Sequence, residues 1–597
     1  MNSDGADPGG RRGRIQSFWA ERRARWTLPL VIIVIIVIVA TVDHLGAHRI
    51  RQVDQQSISD LVSGAGGAAT VSLDQPWSGF NPGTPTGADS STPTLLASVL
   101  PSAYTILPNL TTVLNSDLLS GTKVTSVAPL TIQYVLNPAA VWSDGVPVSA
   151  EDFIYNWKAQ RGTDLDVDGQ PDAAASTLGY RDVASVTGSQ DGKTVTVVFT
   201  RPFTDWRTLF SGMVPAHIAE KVGWNHGFDT FNPAVDLSAG PYLVHSVTGG
   251  TAELVRNPKW WGTPGTLASV TVSAISTSSG WVAALGGNNH MVAQPAGFNL
   301  DTLNATSSLP NTQSVVKPSL SFLQVEFNTI SPLTSQLAVR QAIAHAIDRT
   351  VLLAQTFKTL APDLNPDEDH LAVPFANTYS ASSAASSYDK ADPAAVDKLL
   401  VSVVAAGYHR GPDGRYVDAA GNPLTVSMAV ESGDPWITQV GAAIAAQLKQ
   451  AGITLTTFPV DGQTGLAAAA KANSYDMALV VRNAGPYLTA TDGWYSEDQG
   501  PPGLGGSTDW SNFDDPAVDQ LFAEASQELN PVVGDPIYAQ IDDTLWDQMV
   551  ALPLFQEPAL VANGVQLAGI QYNSSIDGLL WNLPSWSTLI PKPTGSS

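Results

Sequence analysis

From about residue 70 onward, short β-branched runs alternate with segments in which apolar residues recur every three to four positions, which predicts an α/β fold. TIQYVLN (131–137) and TVTVVFT (194–200) alternate apolar and polar residues as half-buried strands do. The second follows Gln190-Asp-Gly-Lys193, a hairpin turn signal. The overlapping GSQDGKT (188–194) resembles a phosphate-binding loop, yet it is one residue short between its glycines and leads into a strand, so it reads as the hairpin. Helices are marked by their caps. Ser149-Ala-Glu-Asp152 has the form of a capping box ahead of Phe153, Ile154 and Trp157, and Asp392-Pro393 and Asp515-Pro516 each place a capping carboxylate before a first-turn proline. Val440, Ile444 and Leu448 repeat every four residues until Gly452 stops that helix and ITLTTF opens a strand. No internal repeat is visible.

The amino terminus breaks this pattern. Trp26 to Val42 is a run of 17 residues without a charge, about the length that spans a ~30 Å hydrocarbon core as a helix. Six arginines from Arg11 to Arg25 precede it against Asp4, Asp7 and Glu21, so the positive-inside rule puts residues 1–25 in the cytoplasm and the body outside. A cleaved signal peptide is the competing reading. Ile38 and Ala40 make a weak cleavage site followed by Asp43 and His44, which favours an uncleaved, single-pass anchor in the plasma membrane over 26–42 and a linker over 43–69.

Length and charge narrow the function. A chain of 597 residues holds several domains or one large composite fold, and 43% hydrophobic residues with 16 tryptophans supply a core. Thirty basic against 54 acidic residues give a net charge of −24, and residues beyond 51 are more acidic than the whole. A body of this sign repels phosphate backbones, which argues against nucleic-acid binding. The absence of cysteine removes disulfides, thiolate metal sites and cysteine nucleophiles.

No Gly-x-Ser-x-Gly elbow, His-Glu-x-x-His motif or complete dinucleotide fingerprint occurs, so the chain does not read as an enzyme. One metal-like pattern stands out. Asp164, Asp166, Asp168 and Asp172, with Gly169 for a sharp turn, could converge on calcium, although Ala175 replaces the bidentate acid an EF-hand needs; the alternative is a solvated acidic loop. Asp367, Glu368, Asp369 and His370 lack ligand spacing and read as a solvated turn. No cofactor is required.

Several segments, taken in order, resemble the family 5 extracytoplasmic solute-binding proteins, the oligopeptide-, dipeptide- and nickel-binding components of ABC importers. VWSDGVPVSAEDFIYNWKA (141–159) is the most specific, followed by AGPYLVHSVTGGTAELVRNPKWWG (239–262), VEFNT (325–329), VRQAIAHAIDRTVL (339–352), YDMAL (475–479) and WSNFDDPAVDQLF (510–522). The wording of the first, with WSGFNP from Trp77, is most similar to an actinobacterial subgroup that includes the LpqW-type proteins of cell-envelope glycolipid synthesis.

The resemblance implies a two-lobed, periplasmic-binding-protein-like α/β fold (type II, peptide-binding cluster) that closes on ligand by a hinge. Lobe 1 would comprise 70–325 and a return at 483–597, lobe 2 would comprise 326–482, and VEFNT and YDMAL would cross between them. It further implies a monomer that captures a peptide or other small ligand for an ABC permease. Expected ligand contacts are Trp77, Phe80 and Asn81, then Asn328, then Arg482, Asn483, Tyr487, Trp494 and Tyr495; Trp142, Asp144, Gly145, Arg256, Trp260 and Trp261 are expected to be structural, with Arg340 and Asp348 on a helix surface.

After YDMALV, where the family's peptide binders place an aspartate for the peptide amine, this chain has Gly485 and Pro486. Arg482 nearby suggests instead an anionic or neutral ligand. Two other classes of function stay open: an LpqW-like regulator or scaffold of phosphatidylinositol mannoside and lipoarabinomannan synthesis without transport, and an envelope hydrolase whose triad forms only on folding.

Overall fold

The computed structural model describes residues 48–49, 61–64, 66–295, 299–357, 359–403, 407–432, 435–496 and 508–591. The chain divides into two compact units, Met1–Arg49 and Ile50–Ser597, and everything below concerns the second. Among the described residues no helix is long and apolar enough to cross a membrane; the expected anchor at 26–42 lies outside them.

Strand β1 (Ala68–Leu73) opens the body. A separate antiparallel sheet follows, built from β2 (Leu119–Val127), β3 (Leu130–Leu136), β4 (Val183–Gly188) and β5 (Thr194–Phe199) in the order β2-β3-β5-β4. The hairpin expected from Gln190 to Lys193 joins its last two strands. Helix α1 (Ala150–Gln160) carries the expected cap: Ser149 Oγ accepts from the Glu151 amide at 3.3 Å, and Asp152 Oδ2 accepts from the Ser149 amide at 2.9 Å. Phe153 and Trp157 are buried beneath it while Ile154 is only partly covered, as a 3.6-residue period on one face requires.

The chain then enters the main sheet through β6 (Tyr242–Thr248), β7 (Thr251–Arg256), β8 (Ser269–Ala274), β9 (Met291–Ala293) and the long β10 (Thr312–Phe327). Helices α2 (Leu337–Ala346) and α3 (Arg349–Thr356) lead to β11 (Thr425–Glu431), α4 (Pro435–Ala451), β12 (Thr454–Val460) and β13 (Met477–Asn483). Two further helices, α5 (Pro516–Ala525) and α6 (Pro531–Asp547), precede the second long strand, β14 (Ala551–Gly564). Strand order is β6-β7-β8-β1-β9-β14-β10-β13-β11-β12.

The long strands β10 and β14 pair antiparallel in two stretches. Thr312 to Pro318 face Gly564 to Pro558, and Phe322 to Glu326 face Gln556 to Ala551, with the register interrupted between Pro318 and Phe322. Proline has no backbone N–H, so the facing Pro318 and Pro558 cannot donate across the ladder, and pairing lapses there. One buried cluster is formed by residues between Ala69 and Val292 together with Val561 to Trp586. A second, between Trp281 and Ala562, gathers β10, β11, β13, β14 and the helices α2 to α4. A third packs Leu320, Phe322 and 371–376 against α5 and α6.

Of the described residues expected to return to the first lobe, most of the buried apolar ones between Ala484 and Ala551 pack in the third cluster, Trp546 and Met549 pack in the second, and Leu529 with Val561 to Trp586 pack on the first. VEFNT and YDMAL are neighbours in the main sheet, Val325 facing Leu479.

Candidate functional site

A cleft of about 540 Å³ opens where β10 and β14 cross. Asp74 and Gln75 reach it from the carboxyl end of β1, and Gln294 and Pro295 from the carboxyl end of the parallel strand β9. Crevices outside the carboxyl ends of parallel strands are where α/β sheets bind ligands, because successive loops diverge there and leave room. Ser319 to Ser321, Asn483 and Glu557 to Ala559 contribute from the crossing itself, Trp436 from the first turn of α4, and Tyr572 to Ile576 from the carboxyl-terminal segment. The volume falls within the ~300–1,000 Å³ common for small-molecule sites.

The lining is rich in hydroxyls and amides and holds the carboxylates Asp74 and Glu557; no Lys, Arg or His is among the lining residues. Asp74 Oδ1 accepts from Ser91 Oγ and from the Gln75 amide, each at 2.9 Å, which fixes the carboxylate at the end of its strand. Side chains also tie the crossing together. Ser321 Oγ donates to Asn483 Oδ1 at 2.7 Å, and Gln556 Nε2 donates to the Ser319 carbonyl at 2.8 Å.

Of the nine expected ligand residues, Asn483 alone lines this cleft. Trp77 and Phe80 pack on the first cluster, with the Phe80 ring 5.6 Å from Phe231. Asn81 closes its own turn, donating to the Trp224 carbonyl and accepting from the Gly83 amide. Asn328 is fully buried and bonds Asn473, the Tyr475 carbonyl and Asn512. Tyr487 is half-buried, and burial pushes its phenol up to about 12. Trp494 belongs to the third cluster beside Phe322, and the Tyr495 hydroxyl accepts from Gln324 Nε2 at 2.8 Å inside the core.

Arg482 overturns the expectation of an anion-binding guanidinium. It precedes Asn483 on β13, so strand alternation turns it to the opposite face, where Nη2 lies 2.6 Å from Glu326 Oε1 and also donates to the Thr508 carbonyl. Trp494 and Trp510 lie 5.1 and 5.7 Å from its guanidinium carbon.

The acidic loop does not assemble a donor set. Asp166 accepts from the amides of Trp224 and Asn225, Asp164 pairs with Arg161, and Asp168 accepts from the Gln170 amide. Asp172 is pushed up to about 7 by its burial and then by Asp166, Asp164 and Asp168. Among the described residues no group of three or more His, Asp or Glu is placed to hold a metal ion.

Two other expectations change. Arg340 is buried and donates to the carbonyls of Thr334, Gln548 and Met549, while Asp348 caps α3 through the Val351 amide. The DEDH segment is no solvated turn: Asp367, Asp369 and His370 are all buried, and His370 faces Asp542 Oδ1 at 2.7 Å through Nδ1 and the Ala551 carbonyl at 3.1 Å through Nε2. Trp142 is fully buried, Gly145 takes φ +94° in its turn, and the Trp260 and Trp261 rings lie 4.4 Å apart, as structural residues would.

The lining residues missed in the sequence carry little local signal. Asp74 directly follows a strand pattern and Ser319 to Ser321 follow a proline within one, but Trp436 and Ile576 reach the cleft only through tertiary packing.

Comparison with known proteins bears on what such a cleft serves. Residues 114–500 match the family model described as bacterial extracellular solute-binding proteins, family 5 Middle. The chain is 26% identical over 524 residues to the oligopeptide-binding protein OppA of Mycobacterium tuberculosis, covering 86% of this chain and 83% of that one. It is 27% identical over 441 residues to a protein of the same organism named "Probable monoacyl phosphatidylinositol tetramannoside-binding protein LpqW", covering 69% and 67%. Among solved structures it resembles the periplasmic EDTA-binding protein EppA, with a TM-score of 0.77 at 24% identity over 88% of this chain and 97% of that one. It also resembles the oligopeptide-binding protein AppA of Bacillus subtilis in complex with a nonapeptide, with a TM-score of 0.68 at 17% identity over 88% and 100%. These similarities agree with the two-lobed α/β architecture.

Proposed function

Because the chain belongs to the family 5 bacterial extracellular solute-binding proteins, we propose that it captures a peptide-like or other small polar solute outside the cytoplasm, in the cleft between its lobes, and presents it to an ABC permease. The observation that carries this reading is the polar cleft at the crossing of β10 and β14, walled by residues anchored in different buried clusters. Among the described residues no basic side chain lines it, which favours a neutral or basic ligand over an anionic one and keeps only the neutral half of the preference drawn from Arg482. The match to OppA supports a peptide. The apolar run at 26–42 would tether the body to the membrane beside its permease.

The LpqW match favours a second reading, a regulator or scaffold of envelope glycolipid synthesis. A lining of serines, asparagines and glutamines suits sugar hydroxyls as well as peptide amides, while the lack of a cation speaks against a phosphate-bearing headgroup lying in the cleft.

Full-length chain in detergent, examined by native mass spectrometry and then by thermal shift against di- to pentapeptides, neutral oligosaccharides and phosphoinositol mannosides, tests both. A ligand at 100 times its Kd stabilises the folded state by about 2.7 kcal/mol. Stabilisation by neutral or basic peptides is expected. Response to mannosides alone would replace the peptide reading with the second, and a chain that answers to none would refute capture of these solute classes.

A further inference from the structure

We propose that Trp436 and Ile576 form a clamp for one apolar side chain of the bound solute, so that the cleft selects peptides carrying an aromatic or branched aliphatic residue. The inference rests on the solute-capture reading and goes beyond it in assigning specificity.

Most of the lining is hydroxyl, amide or carboxylate, so apolar surface within it needs a reason. Leu73 and Leu320 touch the cleft but are buried, their side chains already packed in the first and third clusters, and the prolines and alanines of the lining are small, while Tyr572 packs on the first cluster. Trp436 and Ile576 differ. Trp436 is half-buried, and Ile576 is 56% exposed although it is a large aliphatic residue. A lone exposed isoleucine on a convex surface is ordinary, whereas two large apolar side chains bordering one polar cleft make a surface that an apolar group can cover.

Both residues are held where they stand. The Trp436 ring lies 4.6 Å from Phe357 at an interplanar angle of 62°, and Phe357 is itself fully buried against Phe555 at 5.5 Å. Ile576 sits in a segment pinned on either side: Asn573 Nδ2 donates to the Ile106 carbonyl and Asp577 Oδ2 accepts from the Ile106 amide, each at 2.7 Å. With its backbone fixed in this way, the isoleucine side chain stays outside the core. Trp436 packs on the second cluster and Tyr572, in the Ile576 segment, on the first, so the two halves of the clamp are anchored in different buried clusters. An apolar group between them would be covered from both sides. Little of the clamp's geometry would have to be ordered on binding, which lowers the entropic cost.

Titration calorimetry of the full-length chain in detergent, with the tripeptides Ala-Phe-Ala, Ala-Leu-Ala and Ala-Ser-Ala, tests this. The wild type is expected to bind the first two at least about tenfold more tightly than the third, the size expected for covering one apolar side chain. Trp436→Ala and Ile576→Ser should each bring the three affinities together, and Trp436→Phe should keep part of the preference. Ile576 is surface-exposed, so its variant stays informative if Trp436→Ala misfolds. Equal binding of all three peptides by the wild type, or a preference that survives in Ile576→Ser, would overturn the clamp while leaving solute capture standing. A wild type that binds none of them overturns the peptide reading, and the clamp falls with it.

Discussion

Arg482 and Glu326 form an ion pair between the adjacent strands β13 and β10, Nη2 2.6 Å from Oε1, with both side chains sealed from solvent. Burial pushes the Glu326 carboxyl up, while Arg482 and the Gln324 amide pull it back. A buried pair of this kind contributes little net stability, yet breaking it leaves one charge uncompensated. Arg482→Met should therefore cost about 3–5 kcal/mol in urea unfolding. The double variant Arg482→Met with Glu326→Met should recover most of that loss. Recovery of neither stability nor fold in the double variant would contradict the pairing argument.

Stability should fall as the pH rises across the neutral range. Burial pushes Asp367 up to about 8, with Asp369 and Glu368 adding to the shift and Arg349 opposing it; burial also raises Asp509 and Asp236 to about 7 each. The folded chain thus holds protons that the unfolded chain, with carboxyls near 3.8, has released. This contribution is complete below about 4 and is lost progressively up to about 8. Each such group changes stability by at most ~1.4 kcal/mol per pH unit inside its window. Urea midpoints should decrease from pH 5 to pH 8, and Asp367→Asn should flatten the decrease; a rising midpoint would show that these carboxyls are ionised in the native chain.

Asp152 does more than cap a helix. Its Oδ2 accepts from the Ser149 amide and its Oδ1 from the Ala216 amide, both at 2.9 Å, so it ties α1 to the segment that begins the next helix. Asp152→Ala should cost about 2–3 kcal/mol, a lost cap plus an unsatisfied buried amide, whereas Ser149→Ala should cost about 1 kcal/mol. Equal losses in thermal unfolding would mean that the Ala216 bond is unimportant.

Calcium should leave the melting temperature unchanged, because Asp166 spends both oxygens on the amides of Trp224 and Asn225 and Asp164 is paired with Arg161. Asp166→Ala should lower it by a few degrees through the two freed amides. A calcium-dependent rise that vanishes in Asp166→Ala would restore the metal-site reading of this loop.

Much of the local structure was legible because its signals lie within a few residues of one another. The capping carboxylates Asp152, Asp392 and Asp515 all bond first-turn or preceding amides, and Gly452 takes φ +90° where the helix before it ends. The candidate site was legible only at Asn483. Arg482 and Asn483 are adjacent in sequence and were expected to act together, yet strand alternation sends one into the core and the other to the cleft. Asp367, Asp369 and His370 misled in the opposite direction. Charged residues in a row usually face water, but here Asp542 of α6 and the carbonyl of Ala551 supply partners some 170 residues away or more.

By itself the sequence determined the α/β class, the helix and hairpin boundaries, the acidic character of the body and the order of segments that carries family membership. Each of these depends on near-neighbour spacing or on composition, and neither requires knowing what packs on what. Tertiary structure alone decided where the pairing of the two long strands is interrupted, since that depends on Pro318 facing Pro558 across strands 240 residues apart. It also decided which side chains border the cleft, because Asp74, Ser321, Trp436, Asn483 and Ile576 come from separate elements. Burial of a side chain is a property of everything packed around it, and only the folded chain brings those surroundings together.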